Sequence, residues 1–179
     1  MCDFVSSNSI AHNHLIAHSR PAELPPTELL PWLNIQGSLT AKLEAKAGQP
    51  LRVERQFEGY RLLSLTQKRQ LGLHRAALNR PLLAWIREAT LYGNEAAPWV
   101  QAQSIFPLIS LQGDAKRLQY LQGTPIGYVL FKRSRTLPST RFIAATAEGW
   151  QRQTRYDWYG RPLLISETFL GAFTPFSTP

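Results

Sequence analysis

The sequence contains a single cysteine, Cys2, so no intrachain disulfide can form and no thiolate cluster can hold a metal. No apolar run approaches the roughly 18 residues of a membrane span. The first residues, Met1 to Asn8, lack the basic start and continuous apolar stretch of a secretory signal. A soluble protein of a reducing cytoplasm is the expectation. Also missing are G-x-G-x-x-G, the Walker phosphate loop, the G-x-S-x-G elbow and H-E-x-x-H, which removes the main sequence support for nucleotide binding, serine hydrolysis and zinc proteolysis. Acidic residues are scarce, with 12 Asp and Glu against 20 Lys and Arg, a formal charge of +8. The basic residues are 15 Arg and 5 Lys, a bias toward planar, bidentate recognition of carboxylate or phosphate that points to an anionic partner.

What is present suits one domain: 179 residues, 44% of them hydrophobic, with no internal repeat. Residues 1–21 show no sustained period and read as a flexible tail, leaving 22–179 as a single domain. His12, His14 and His18 cluster in that tail without a neighbouring carboxylate, so no metal site is expected there, and a lone His74 reads as surface or structural rather than catalytic. Thr27 to Leu33 suggests a short helix. Ser38 as N-cap, Leu39, Leu43 and Ala47 at helical spacing, and Gly48 as stop predict a helix over Leu39 to Ala47. Leu51, Val53, Arg55 and Phe57 alternate as one face of a strand, and the polar run Thr66 to Arg69 reads as a loop. Leu82 to Tyr92 and Trp99 to Phe106 predict a long hairpin. Asp114 to Leu121 is expected to be helical, and Thr124-Pro125 to open a second helix over Ile126 to Phe131. Arg141 to Ala145, Trp150 to Tyr159 and Pro162 to Leu170 complete the strands. The class is α+β, a central antiparallel sheet with helices packed against it.

Two charges stand out by alternation. Arg87 shares a strand face with Leu83, Trp85, Ala89 and Leu91, and Glu167 shares one with Leu163, Ile165 and Phe169. Buried charges need partners. Either the two pair with each other as a buried salt bridge, or Arg87 pairs with neighbours of Glu88 at a sheet edge, or the two face one cavity and hold opposite ends of an acidic ligand. The N-terminus of a helix opened by Thr124-Pro125-Ile126-Gly127 adds backbone N–H groups suited to a carboxylate. Lys132, Arg133, Arg135, Arg141, Arg152, Arg155 and Arg161, interleaved with Trp150, Tyr156, Trp158 and Tyr159, read either as a solvated basic sheet face or as a nucleic-acid surface.

Leu30-Pro31-Trp32-Leu33, Gly37-Ser38-Leu39-Thr40, Trp85-Ile86-Arg87-Glu88, Pro98-Trp99-Val100, Gly123-Thr124-Pro125-Ile126-Gly127 and Pro162 to Leu170 occur in an order that resembles the chorismate lyase family. The resemblance spans about Leu30 to Leu170. It implies a monomeric α+β fold with an internal ligand cavity closed by flaps, no cofactor and no metal. It also implies conversion of chorismate to 4-hydroxybenzoate and pyruvate for ubiquinone-type quinone biosynthesis. By that resemblance Arg87 takes the ring carboxylate, Glu167 meets the ring hydroxyl, and the backbone at Leu39 and Ile126 adds polar contacts, with Leu39 replacing a methionine. Ala102-Gln103 stands where the family carries Gly-Arg, and if that arginine serves the second carboxylate, another base such as Arg141 takes its place. The same fold resembles the effector domains of bacterial transcription regulators, which leaves a non-catalytic small-molecule sensor as the alternative. The residues before Leu30 are too few and irregular for a helix-turn-helix, so no nucleic-acid partner is expected.

Overall fold

Six segments of alternating side chains form six strands: β1 (Arg52–Leu62), β2 (Leu83–Tyr92), β3 (Val100–Pro107), β4 (Ser139–Ala145), β5 (Gly149–Asp157) and β6 (Pro162–Leu170). The computed structural model describes residues 24–121, 123–131 and 137–175. The tail with its three histidines therefore lies outside the described residues, as do Lys132, Arg133 and Arg135. The strands make one antiparallel sheet in the order β1-β2-β3-β6-β5-β4. It consists of two three-stranded meanders, β1-β2-β3 and β4-β5-β6, joined along β3 and β6, and the antiparallel sheet with its few helices is the expected α+β class.

The sheet is covered on both faces, differently. In register, Leu91, Val100 and Phe169 stand side by side, as do Trp85 and Phe106, and these belong to the face that carries the larger cores. One core, including Leu91, Val100 and Phe169, is closed by helix α2 (Leu39–Ala47), which buries Leu39, Leu43 and Ala47. A second, with Phe106, Leu163 and Ile165, is closed by a 3₁₀ segment (Gly113–Tyr120) and by the short helix α5 (Gly127–Leu130). On the opposite face Ile86, Ile105 and Leu164 pack with Leu63 and Leu71, which flank helix α3 (Leu65–Gln70). Two single-turn helices, α1 (Leu30–Leu33) and α4 (Arg75–Leu78), and a 3₁₀ turn (Leu108–Ser110) complete the list among the described residues.

Helix α2 has the predicted ends: the Ser38 hydroxyl accepts from the Ala41 N–H at 3.2 Å, and Gly48 turns the chain at φ +67°. Five expectations are corrected. The polar run after Leu65 is helix α3, begun by a capping box in which Ser64 and Gln67 satisfy each other's backbone N–H groups. The segment at 113–120 is 3₁₀ rather than α-helical. Helix α5 begins at Gly127 with Ile126 as its cap residue, and Thr124 makes no side-chain cap. A β-bulge between Arg55 and Phe57 turns Phe57 to the α3 face, so the strict alternation expected from Leu51 to Phe57 breaks there. Strand β5 ends at Asp157, because Tyr159 and Gly160, both at positive φ, make a two-residue hairpin turn closed by paired bonds between Trp158 and Arg161.

Candidate active site

Between the two apolar cores of the larger face runs a row of charges, each brought in by cross-strand register. Glu58 on β1 lies beside Arg87 on β2, Arg87 beside Ser104 on β3, Ala102 beside Glu167 on β6, and Glu167 beside Arg152 on β5. Arg87 is 4% exposed and Arg152 1%. The two charges singled out by alternation do not pair with each other. Arg87 lies 3.8 Å from the Glu58 carboxylate and donates to the Thr124 carbonyl at 2.9 Å, while Arg152 donates to Glu167 at 2.6 Å. Burial lowers the Arg87 pKa from its ordinary value, opposed by Glu58 and reinforced by Arg55. Next to Arg152, Arg141 on β4 donates to Thr154 at 3.0 Å and to the Leu33 carbonyl at 3.3 Å. Its pKa is lowered by burial and by Arg152. The buried Tyr156 hydroxyl is raised, first by burial and then by Glu167.

Over the middle of this row sits a cavity of about 30 Å³ lined by Thr40, Arg87, Ser104, Pro125, Ile126 and Glu167, among others. Its cover is made where the N-terminal ends of α2 and α5 converge. Gly127 permits that approach, since a Cβ there would stand 2.7 Å from the Ser38 hydroxyl oxygen and 2.8 Å from that of Thr40. Outside the cover, the Tyr128 hydroxyl donates to Glu44, linking the two helices. Two larger open clefts, of about 490 and 430 Å³, lie elsewhere, the first lined by Thr140, Arg155 and Asp157, the second by Leu29, Trp150 and Phe173. Neither is lined by a member of a buried ion pair, whereas the small cavity is lined by one member of each, Arg87 and Glu167, which makes it the candidate site.

Of the residues expected from sequence, Arg87, Ile126 and Glu167 line the cavity. Leu39 packs in the core beneath α2, and its neighbour Thr40 reaches the cavity instead. Arg141 is engaged by Thr154 and Leu33 and does not line the cavity. Gln103 points to the other face of the sheet, where it donates to Glu88 at 3.0 Å; Ala102 lines the cavity. Position 103 is therefore turned away from this cavity whatever residue occupies it. His74 caps α4. The basic stripe is not one surface, because Arg152, Tyr156 and Trp158 are buried. Sequence reading missed Arg152, Glu58, Thr40 and Ser104. Arg152 was within reach, since it alternates with Thr154 and Tyr156 as Arg87 does with Ala89; the bulge hid Glu58. Among the described residues no group of three His, Cys, Asp or Glu is placed to hold a metal, and no helix is long and apolar enough to cross a membrane.

Comparison with known proteins places these residues in a wider context. Residues 11–177 match the family model described as chorismate lyase. A protein of Psychrobacter cryohalolentis named probable chorismate pyruvate-lyase is 70% identical over 164 residues, covering 92% of this chain and 95% of the relative. The chorismate pyruvate-lyase of Pectobacterium atrosepticum is 31% identical over 162 residues, covering 90% and 87%. Among solved structures, the ligand-binding domain of a GntR-family transcriptional regulator from Bordetella bronchiseptica superimposes with a TM-score of 0.50. It is 15% identical and the match covers 72% of this chain and 88% of that one, a likeness of fold alone.

Proposed function

The chain belongs to the chorismate lyase family, and from that premise we propose that it converts chorismate to 4-hydroxybenzoate and pyruvate, supplying the ring precursor of a ubiquinone-type quinone. The observation that carries the reading is the spacing of unlike charges over one closed cavity: Arg87 on one side, Glu167 on the other, with neither consumed by the other. The sensor alternative shares the fold but has no comparable support, since relatives covering most of the chain are named as lyases.

In the reaction the ring loses its C3–O bond and the hydrogen at C4 and becomes aromatic. The departing three-carbon fragment takes up a hydrogen and becomes pyruvate, so the atoms balance without an oxidant. Aromatisation supplies the driving force, and what the protein adds is orientation, charge complementarity and exclusion of water. Arg87, held from behind by Glu58 and Thr124, takes the ring carboxylate. Glu167 accepts a hydrogen bond from the C4 hydroxyl through Oε1, because Oε2 already accepts from Arg152. The second carboxylate falls to the first-turn N–H groups of α2, at Leu39 and Thr40, and to the Thr40 hydroxyl. A space of about 30 Å³ accommodates little more than one water. Binding therefore lifts the cover formed by Thr40, Pro125 and Ile126, and reclosure shuts solvent out.

Incubating the purified protein with chorismate in the presence of a chelator should yield 4-hydroxybenzoate and pyruvate in equal amounts. Binding of chorismate without turnover would favour the sensor, and activity recovered only on adding a metal would refute the cofactor-free mechanism.

A further inference from the structure

The Leu30-Pro31-Trp32-Leu33 segment contributes no residue to the cavity lining, yet its carbonyl groups converge on the charges beneath it. Arg152 donates from Nε to Glu167 Oε2 at 2.6 Å and from Nη1 to the carbonyls of Trp32 at 3.3 Å and Ile35 at 3.4 Å. Arg141 beside it donates to the carbonyl between them in sequence, that of Leu33. The exit of α1 is thus a cluster of backbone acceptors that holds one guanidinium in a fixed plane, and that guanidinium holds Glu167. The edge of the Trp32 ring against Phe173, centroids 4.9 Å apart, anchors the segment to the core. Arg152 is among the most buried side chains and touches Glu167 from behind, out of the cavity.

Resting on the proposed contact between Glu167 and the substrate hydroxyl, we infer that Arg152 is a positioning residue for the reaction: it occupies Oε2 and fixes the carboxylate plane, so that Oε1 alone is presented to the ligand. A lysine could neutralise Glu167 but cannot meet a carboxylate and two carbonyls from one rigid plane. The charged and titratable groups that face Glu167 are Arg152 and Tyr156 on β5, Arg141 on β4 and, across the cavity, Arg87 with its partner Glu58. The cover contributes Thr40, Pro125 and Ile126, none of which titrates. Arg152 is the cation bonded directly to Glu167, so its removal frees Oε2 and lets the carboxylate turn away from the cavity.

The test compares the full chain with Arg152→Lys, Arg152→Met, Glu167→Gln and the double variant Arg152→Lys, Glu167→Gln. The readouts are kcat and KM for chorismate between about pH 5 and 9, binding of 4-hydroxybenzoate, and thermal unfolding. Arg152→Lys should lower kcat about tenfold or more with KM changed less than about threefold. In Arg152→Met, which leaves Oε2 without its donor, kcat should fall further than in Arg152→Lys. Adding Arg152→Lys to Glu167→Gln should cost less than about a further twofold, because the amide has no charge to hold. If Arg152→Met does not fold, Arg152→Lys and the double variant carry the comparison. Full kcat in Arg152→Lys overturns the inference, and so does a loss that multiplies undiminished in the Glu167→Gln background, which marks a purely structural arginine. If Glu167→Gln alone leaves kcat and ligand binding unchanged, the reading of Glu167 fails first; if it impairs both while Arg152→Lys is silent, only the role of Arg152 falls.

Discussion

Arg87 illustrates how a buried guanidinium is kept and still left useful. Its Nε faces the Glu58 carboxylate and its Nη1 donates to the Thr124 carbonyl, and the residue also lines the cavity, so its position is fixed before any ligand arrives. Arg87→Lys should lower kcat/KM by roughly 10², about 2–3 kcal/mol, because an ammonium cannot clamp a carboxylate at two points while reaching Glu58. Arg87→Ala should cost more, and should also lower the thermal midpoint, since the buried Oε1 of Glu58 loses its neighbouring cation and only Arg55, on Oε2, remains. Steady-state kinetics with parallel unfolding curves separate the two effects. For Glu167→Gln, retained 4-hydroxybenzoate binding with a moderate loss of kcat identifies an orienting acceptor, whereas a fall of roughly 10² or more identifies a proton carrier.

At the scale of elements, the cavity depends on two helix ends being allowed to touch. Gly127→Ala gains up to about 1 kcal/mol of helix propensity. It also drives a methyl into Ser38 and Thr40, and moving Ser38 breaks the α2 cap. Overpacking of this kind costs about 1–3 kcal/mol, so the variant should be less stable and should bind 4-hydroxybenzoate more weakly, as calorimetry would show; unchanged affinity would mean that the cover is not part of the site. The elements were legible in proportion to how local their causes are. Helix α2 carries its own cap, stripe and stop, and β2 and β6 carry uninterrupted alternation, which is why Arg87 and Glu167 could be placed on an inner face from the chain alone. Helix α3 announced itself only through the Ser64–Gln67 box in a polar run. The partners of the two charges were not legible, because Glu58 reaches its face through a bulge and the choice of Arg152 over Arg87 as the mate of Glu167 is a matter of strand order, which no local pattern encodes.

For the molecule as a whole, a charge of +8 and a dianionic substrate predict that kcat/KM falls as salt rises while kcat changes less. A flat salt profile would place capture under the control of cover opening instead. The order β1-β2-β3-β6-β5-β4 has one more consequence. Within each meander the chain closes neighbouring strands through short or moderate loops, but the β3–β6 seam joins residues about sixty positions apart, such as Ala102 and Glu167. Closing that long loop costs entropy before any contact repays it, so the seam is expected to form late and to part early. The cavity straddles it, with Arg87, Ala102 and Ser104 on one bank and Ile165 and Glu167 on the other. A small aromatic acid bound there stitches the two halves of the chain together. Saturating 4-hydroxybenzoate should therefore slow unfolding in denaturant while leaving the refolding rate nearly untouched, the kinetic signature of a clasp fastened only after the halves have met.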